Sequence, residues 1–221
     1  DDTVVESNVT DRLAAARTVL LGNARTRLPF EGVAAFYQAL HGGASGQAGN
    51  PLFYVSSSPW NLYDLLAEFL DLHKIPRGPL LLRDLGIDRA KLLSSDHHAH
   101  KLAQIRPLLA LYPHLTFVLL GDSGQHDPEI YREVVRENPG RIRAVYIRRA
   151  GERPGRDEEV EAIARDLEAA GVPLLLLRDT APAAAHAASL VLVRPAEVPA
   201  VQKDVERDQA RPTPAEAVKE A

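Results

Sequence analysis

Short runs of apolar residues alternate with stretches of helical period along most of this chain, and few folds accommodate both. The runs are Leu52 to Val55, "GPLLLRD" from Gly78, Leu115 to Leu120, "RIRAVYIRR" from Arg141 and "GVPLLLLRD" from Gly171. Between them, Leu62, Leu65, Leu66, Phe69 and Leu70 keep the spacing of one buried helix face, and so do Leu102, Ile105, Leu108 and Leu109. Ile130, Val134 and Val135 mark a further helix, and Val160, Ile163 and Leu167 another. A strand that is apolar on both faces must be covered on both sides, which is the environment of a parallel sheet with helices above and below it. The fold class is α/β, a three-layer, doubly wound, mostly parallel sheet. Ser58 and Pro59 read as the N-cap and first residue of the helix after the first run.

At 221 residues, 45% of them apolar and 25% charged, one domain over residues 1–200 is expected, with a charged tail at 201–221 as a loose surface helix or disorder. A net charge of -4 argues against nucleic acid as a partner, since such domains gather cations on one face. The absence of cysteine excludes a disulfide framework, a thiolate zinc site and a cysteine nucleophile. No apolar run reaches the length of a bilayer span, so a soluble chain is expected; the location expected for it is cytoplasmic, with peripheral membrane contact as an option. The chain opens "DDTVV" with no methionine, which suggests a start part-way along a gene. "HGGASGQAGN" from His41 lacks the lysine of a phosphate-binding P-loop and reads as a flexible connector.

In open α/β sheets ligands bind beyond the carboxyl ends of the strands. Polar residues fall there at Asp1, at Ser56 and Ser57 after the first run, at Lys101 opening a helix, and in "GDSGQHD" from Gly121 to Asp127. Taken singly, Ser56 could cap a helix, Lys101 could be a solvated cation, and Asp127 could be an N-cap ahead of Pro128. Asp122 resists such a reading, because a charge at the mouth of a buried strand is costly without a partner. With Asp1 it makes a carboxylate pair suited to a hard divalent cation such as Mg²⁺.

These stretches, in this order, resemble the motifs of the haloacid dehalogenase superfamily of phosphohydrolases. More narrowly, "DDTV", "NARTRLPFEGV", "FYVSSSPWNLY", "GPLLLRD", "HKLAQIRPLLALYP", "FVLLGDSGQHDPEIY" and "VYIRR" resemble the catalytic domain of the actin-patch type of phosphatidate phosphatase and its bacterial relatives, over roughly Asp1 to Arg149. The resemblance implies a Rossmann-like fold with a small helical flap and a minimal cap, and a Mg²⁺-dependent phosphomonoesterase acting through an aspartyl-phosphate. Its substrate would be a phosphorylated small molecule or a phospholipid, phosphatidate first. Asp1 would be the acid/base, with the nucleophilic Asp two places before it on a central strand that precedes this sequence. Asp122 and Asp127 would hold Mg²⁺, while Ser56, Ser57 and Lys101 would bind the phosphoryl group.

Two other classes fit parts of the pattern: a phosphoacceptor receiver domain, which lacks the GDxxxxD motif, and a non-catalytic pseudo-phosphatase. His97, His98 and His100 are expected on a polar loop beside the site, with zinc or nickel binding as the alternative. Leu13 to Phe30 combines an apolar face with Arg17, Arg25 and Arg27, and reads as the flap or as an interfacial helix. "RRAGERPGR" from Arg148 reads as a solvated loop.

Overall fold

The apolar runs become parallel strands and the amphipathic stretches become helices. The computed structural model describes residues 29–47, 49–84, 97–151 and 153–211. Its elements are α1 (Val33–Gly42), β1 (Tyr54–Pro59), α2 (Tyr63–Leu72), β2 (Leu80–Arg83), α3 (His97–Leu111), β3 (Phe117–Asp122), α4 (Asp127–Glu137), β4 (Ile142–Arg148), α5 (Arg156–Ala169), β5 (Leu174–Leu177), α6 (Ala181–Ser189) and α7 (Val198–Gln209). They divide into two units, one holding Phe53–Tyr63 and Pro79–Arg178, the other the remaining described residues.

In the first unit β1 pairs with β2, and β3, β4 and β5 pair in that order, all in parallel. The register sets Asp122 beside Arg148, and Arg148 beside Leu177. Among the described residues no ladder joins β1 to β3. Helix α3 packs on β1 and α4, α4 on β3, β4 and α5, and α5 on β5. Val134, Val145, Ile147 and Val160 are wholly buried at the centre of this core, each contributing about 1.5–3 kcal/mol by leaving water. Strand β3 starts two residues later than the apolar run suggests, leaving Leu115 46% exposed ahead of the sheet, and ends on Asp122 itself. Helix α4 begins with Asp127 and Glu129 in its first turn and has Arg136 in its last, charges that suit the helix dipole at each end.

In the second unit α7 packs against α1 and α6. Its Asp208 and Asp204 accept the N–H groups of Gly32 (3.0 Å) and Ala35 (3.2 Å) at the start of α1, where no side chain of α1's own N-cap does so. Val201 and Val205 are buried alongside. Residues 201–209 are therefore a packed helix rather than a loose tail, and a boundary at 200 falls inside it; 212–221 lie outside the described residues. The glycine-rich stretch is also more ordered than a connector. It closes α1: the His41 carbonyl accepts the N–H groups of Gly49 and Asn50, and the Asn50 amide donates to the Leu40 carbonyl at 2.8 Å.

Candidate active site

Serine sits within β1 rather than after it. The strand runs on to Pro59, so Ser58 and Pro59 do not start a helix, and a single 3-10 turn, Trp60–Leu62, precedes α2. The reason is local: Ser56 and Ser58 both turn inward and are buried, and Ser56 Oγ accepts the N–H of Ser58 at 3.0 Å. Strand alternation turns Ser57 to the opposite face, so the structure does not bring it to Ser56.

The histidine stretch is helical, not a loop, since α3 begins at His97. The His97 side chain lies outside the described residues. His98 is 3.6 Å from Glu133 of α4. The His100 ring meets the main chain of Ser56, tying α3 to β1. Burial lowers its pKa below the ordinary value, against the Ser56 contact, and the charges of Arg83 and Lys101 lower it further. Among the described residues no group of three or more histidines and acids is placed to hold a metal ion.

Next along α3, Lys101 is 3% exposed and its ammonium pairs with Asp127 Oδ1. The reading of Lys101 as a solvated cation is thereby overturned. Asp127 does not cap α4 either: His126 holds that position, and Asp127 Oδ2 accepts the N–H of Asp122 at 3.1 Å. One carboxylate thus links the lysine of α3 to the end of β3. The approach is close enough to require glycine at 121, because a Cβ there would lie 2.7 Å from both Asp127 Cβ and Tyr131 Cε2. Gly121→Ala is expected to push Asp127 off Lys101 and to cost about 1–3 kcal/mol, read as a lower unfolding midpoint in denaturant.

Asp122 is wholly buried, and its Oδ1 accepts the N–H groups of Gly124 (2.9 Å) and Gln125 (3.1 Å). This folds the loop after β3 back over the carboxylate. The loop is held from outside by Arg156, which is 5% exposed and not part of a solvated loop. Its Nε donates to the Ser123 carbonyl and one terminal nitrogen to the Gln125 carbonyl, both at 2.7 Å. The remaining N–H groups go to Glu129 and Glu159, so every guanidinium donor is used. Burial pushes the Glu129 carboxyl up, but the Arg156 hydrogen bond and charge outweigh it and hold it below its ordinary value.

Sequence reasoning missed Arg156, although a signal was present: a cation opens a helix whose next residues are Asp157, Glu158 and Glu159, against the dipole preference. Lysine cannot reproduce five donors in a planar fork. Arg156→Lys is expected to slow turnover about tenfold or more through a misplaced Asp122, with far-UV circular dichroism unchanged. Asp1 and most of the Leu13–Phe30 segment lie outside the described residues.

The first unit thus holds a buried serine within β1, a buried lysine of α3 paired with the first residue of α4, and a buried carboxylate at the end of β3, on an α/β scaffold of parallel strands. Residues 1–149 match the family described as "Phosphatidate phosphatase APP1, catalytic domain", and the chain belongs to that family. Phosphatidate phosphatase APP1 of Saccharomyces cerevisiae is 32% identical over 165 residues, which cover 72% of this chain and 27% of the yeast protein. The chain thus spans well under half the length of that relative. No solved structure matches it. Among the described residues no helix is long and apolar enough to cross a membrane.

Proposed function

We propose that the intact protein is a phosphomonoester hydrolase that converts phosphatidate to diacylglycerol and inorganic phosphate. The observation that carries this reading is the buried chain Lys101–Asp127–Asp122, a cation and two acids fixed at a strand terminus in a member of a phosphatidate phosphatase family. Phosphoryl transfer asks chiefly for such positioning and fixed charge.

The nucleophile is assigned to an aspartate two places before Asp1, on a strand lying between β1 and β3. The same strand would complete a three-layer haloacid dehalogenase-like sheet. Attack on phosphorus forms an aspartyl-phosphate and expels the lipid alkoxide, to which Asp1 gives a proton; Asp1 then takes a proton from the water that cleaves the acyl phosphate. Ser56 donates a hydrogen bond to a phosphoryl oxygen, and Lys101, held by Asp127, supplies a fixed positive charge.

The donor chemistry suits Mg²⁺, since Asp122 is a buried hard-oxygen ligand with no soft donor near it in the loop. Asp122 would hold the ion, with Asp127 behind it, and the bound cation would shield the nucleophile from the phosphate charge. Asp127 has both oxygens engaged by Lys101 and the Asp122 main chain, which makes it the positioning partner of that pair. The test is phosphate release from detergent-dispersed phosphatidate by the full-length protein, with added Mg²⁺ and then with excess chelator. Release that stops in chelator and resumes with Mg²⁺ is the expected result. No release under any condition sinks the assignment.

A further inference from the structure

The carboxyl end of β1 carries an aromatic pair that the core does not use. Trp60 and Tyr63 follow Pro59 and stack with ring centroids 5.7 Å apart and planes 16° from parallel. They stay 50% and 42% exposed, while Leu62 between them is buried. Trp60 is the chain's one tryptophan. Leaving two large rings stacked in water forgoes the burial that usually fixes such residues, and their amphipathic character suits the boundary between water and lipid headgroups.

Position adds to this. Trp60 stands four residues after Ser56 on the same run of chain, so the rings follow directly on the strand that carries this phosphate-binding candidate. Arg83, in register with Pro59 at the end of β2, puts a cation at the same edge, which suits an anionic membrane surface.

We propose that Trp60 and Tyr63 form an interfacial anchor that seats the carboxyl edge of β1 on a phospholipid bilayer, so that a headgroup phosphate meets the site while its acyl chains stay in the membrane. This rests on the reading of the substrate as a phospholipid. A soluble phosphate ester would reach the same strand end from water, without help from the rings.

The test uses the full-length protein and its Trp60→Ala/Tyr63→Ala variant. Turnover is measured on phosphatidate in phosphatidylcholine vesicles, on phosphatidate in detergent micelles, and on p-nitrophenyl phosphate. Co-sedimentation is measured with vesicles with and without phosphatidate. The variant is expected to lose about tenfold or more in vesicle binding and vesicle turnover, with micellar and soluble turnover unchanged. The emission difference between wild type and Trp60→Phe should shift to the blue on adding vesicles.

Equal vesicle binding and vesicle turnover in the two proteins overturns the anchor, while micellar hydrolysis still upholds the lipid phosphatase. Hydrolysis of p-nitrophenyl phosphate with none of phosphatidate in either dispersion overturns both. A dimer in lipid-free solution that the variant dissociates assigns the pair to a second copy of the chain, and also overturns the anchor.

Discussion

Asp122→Asn is expected to lower phosphate release by about 10²–10³-fold while the protein stays folded. Asparagine keeps the shape of the side chain, and its amide oxygen can still accept the N–H groups of Gly124 and Gln125 that close the loop. Only the charge disappears, and a neutral amide is a poor ligand for Mg²⁺ beside a phosphate that needs neutralising. Steady-state turnover together with thermal unfolding checks both halves of this expectation. A folded variant with wild-type turnover would show that Asp122 is only a turn residue.

Lys101→Ala has the largest expected effect on stability. It strands the Asp127 carboxylate, 1% exposed, with its ammonium partner gone, and breaking a buried pair from one side costs about 3–5 kcal/mol. Replacing both partners tells a different story. The double variant Lys101→Met/Asp127→Asn removes both charges, and the asparagine can still accept the Asp122 N–H at the end of β3. Much of the stability should return, since neutral side chains of similar volume often replace a buried ion pair without loss. Activity should not return, because Lys101 is the fixed cation for the phosphoryl group. Chemical denaturation of the single and double variants, with turnover measured on each, separates the structural role of the pair from the catalytic one. Recovery of both stability and turnover would show the pair to be packing alone.

Much of the first unit was legible in the sequence because its strands leave uninterrupted apolar runs, although only β4 is buried on both faces. The bounds of those runs were less legible: Ser56, Ser58 and Asp122 are polar, yet they belong to β1 and β3, with Ser56 Oγ bonded to the Ser58 N–H within its strand and the Asp122 carboxylate met by the loop that follows β3. A pattern built on apolarity ends a strand where the side chains turn polar, and an active site puts polar residues on the last turns of the strand. Lys101 was visible as a candidate only in combination with the others, since nothing local distinguishes a buried lysine from a solvated one; Asp127, twenty-six residues on, buries it. Arg156 carried a local signal, a cation opening an acidic first turn, but its partners Ser123, Gln125 and Glu129 lie on other elements. In the second unit α7 read as a tail, since it carries few large apolar groups and docks through Asp204 and Asp208, whose partners at the start of α1 are distant in sequence.

The convergence of β1 with β3 on one phosphate site is tested most directly by Ser56→Ala in the full-length protein. Ser56 belongs to one pair of strands and Asp122 to another, so an effect of the serine on phosphoryl transfer requires both to act at the same place. The hydroxyl is small, and the Ser58 N–H that it accepts can turn to another acceptor, so folding should survive. The turnover number for phosphatidate is expected to fall by roughly 30-fold to 900-fold, the equivalent of about 2–4 kcal/mol in the transition state, with the unfolding midpoint little changed. An unchanged turnover number in a folded Ser56→Ala protein would contradict the site.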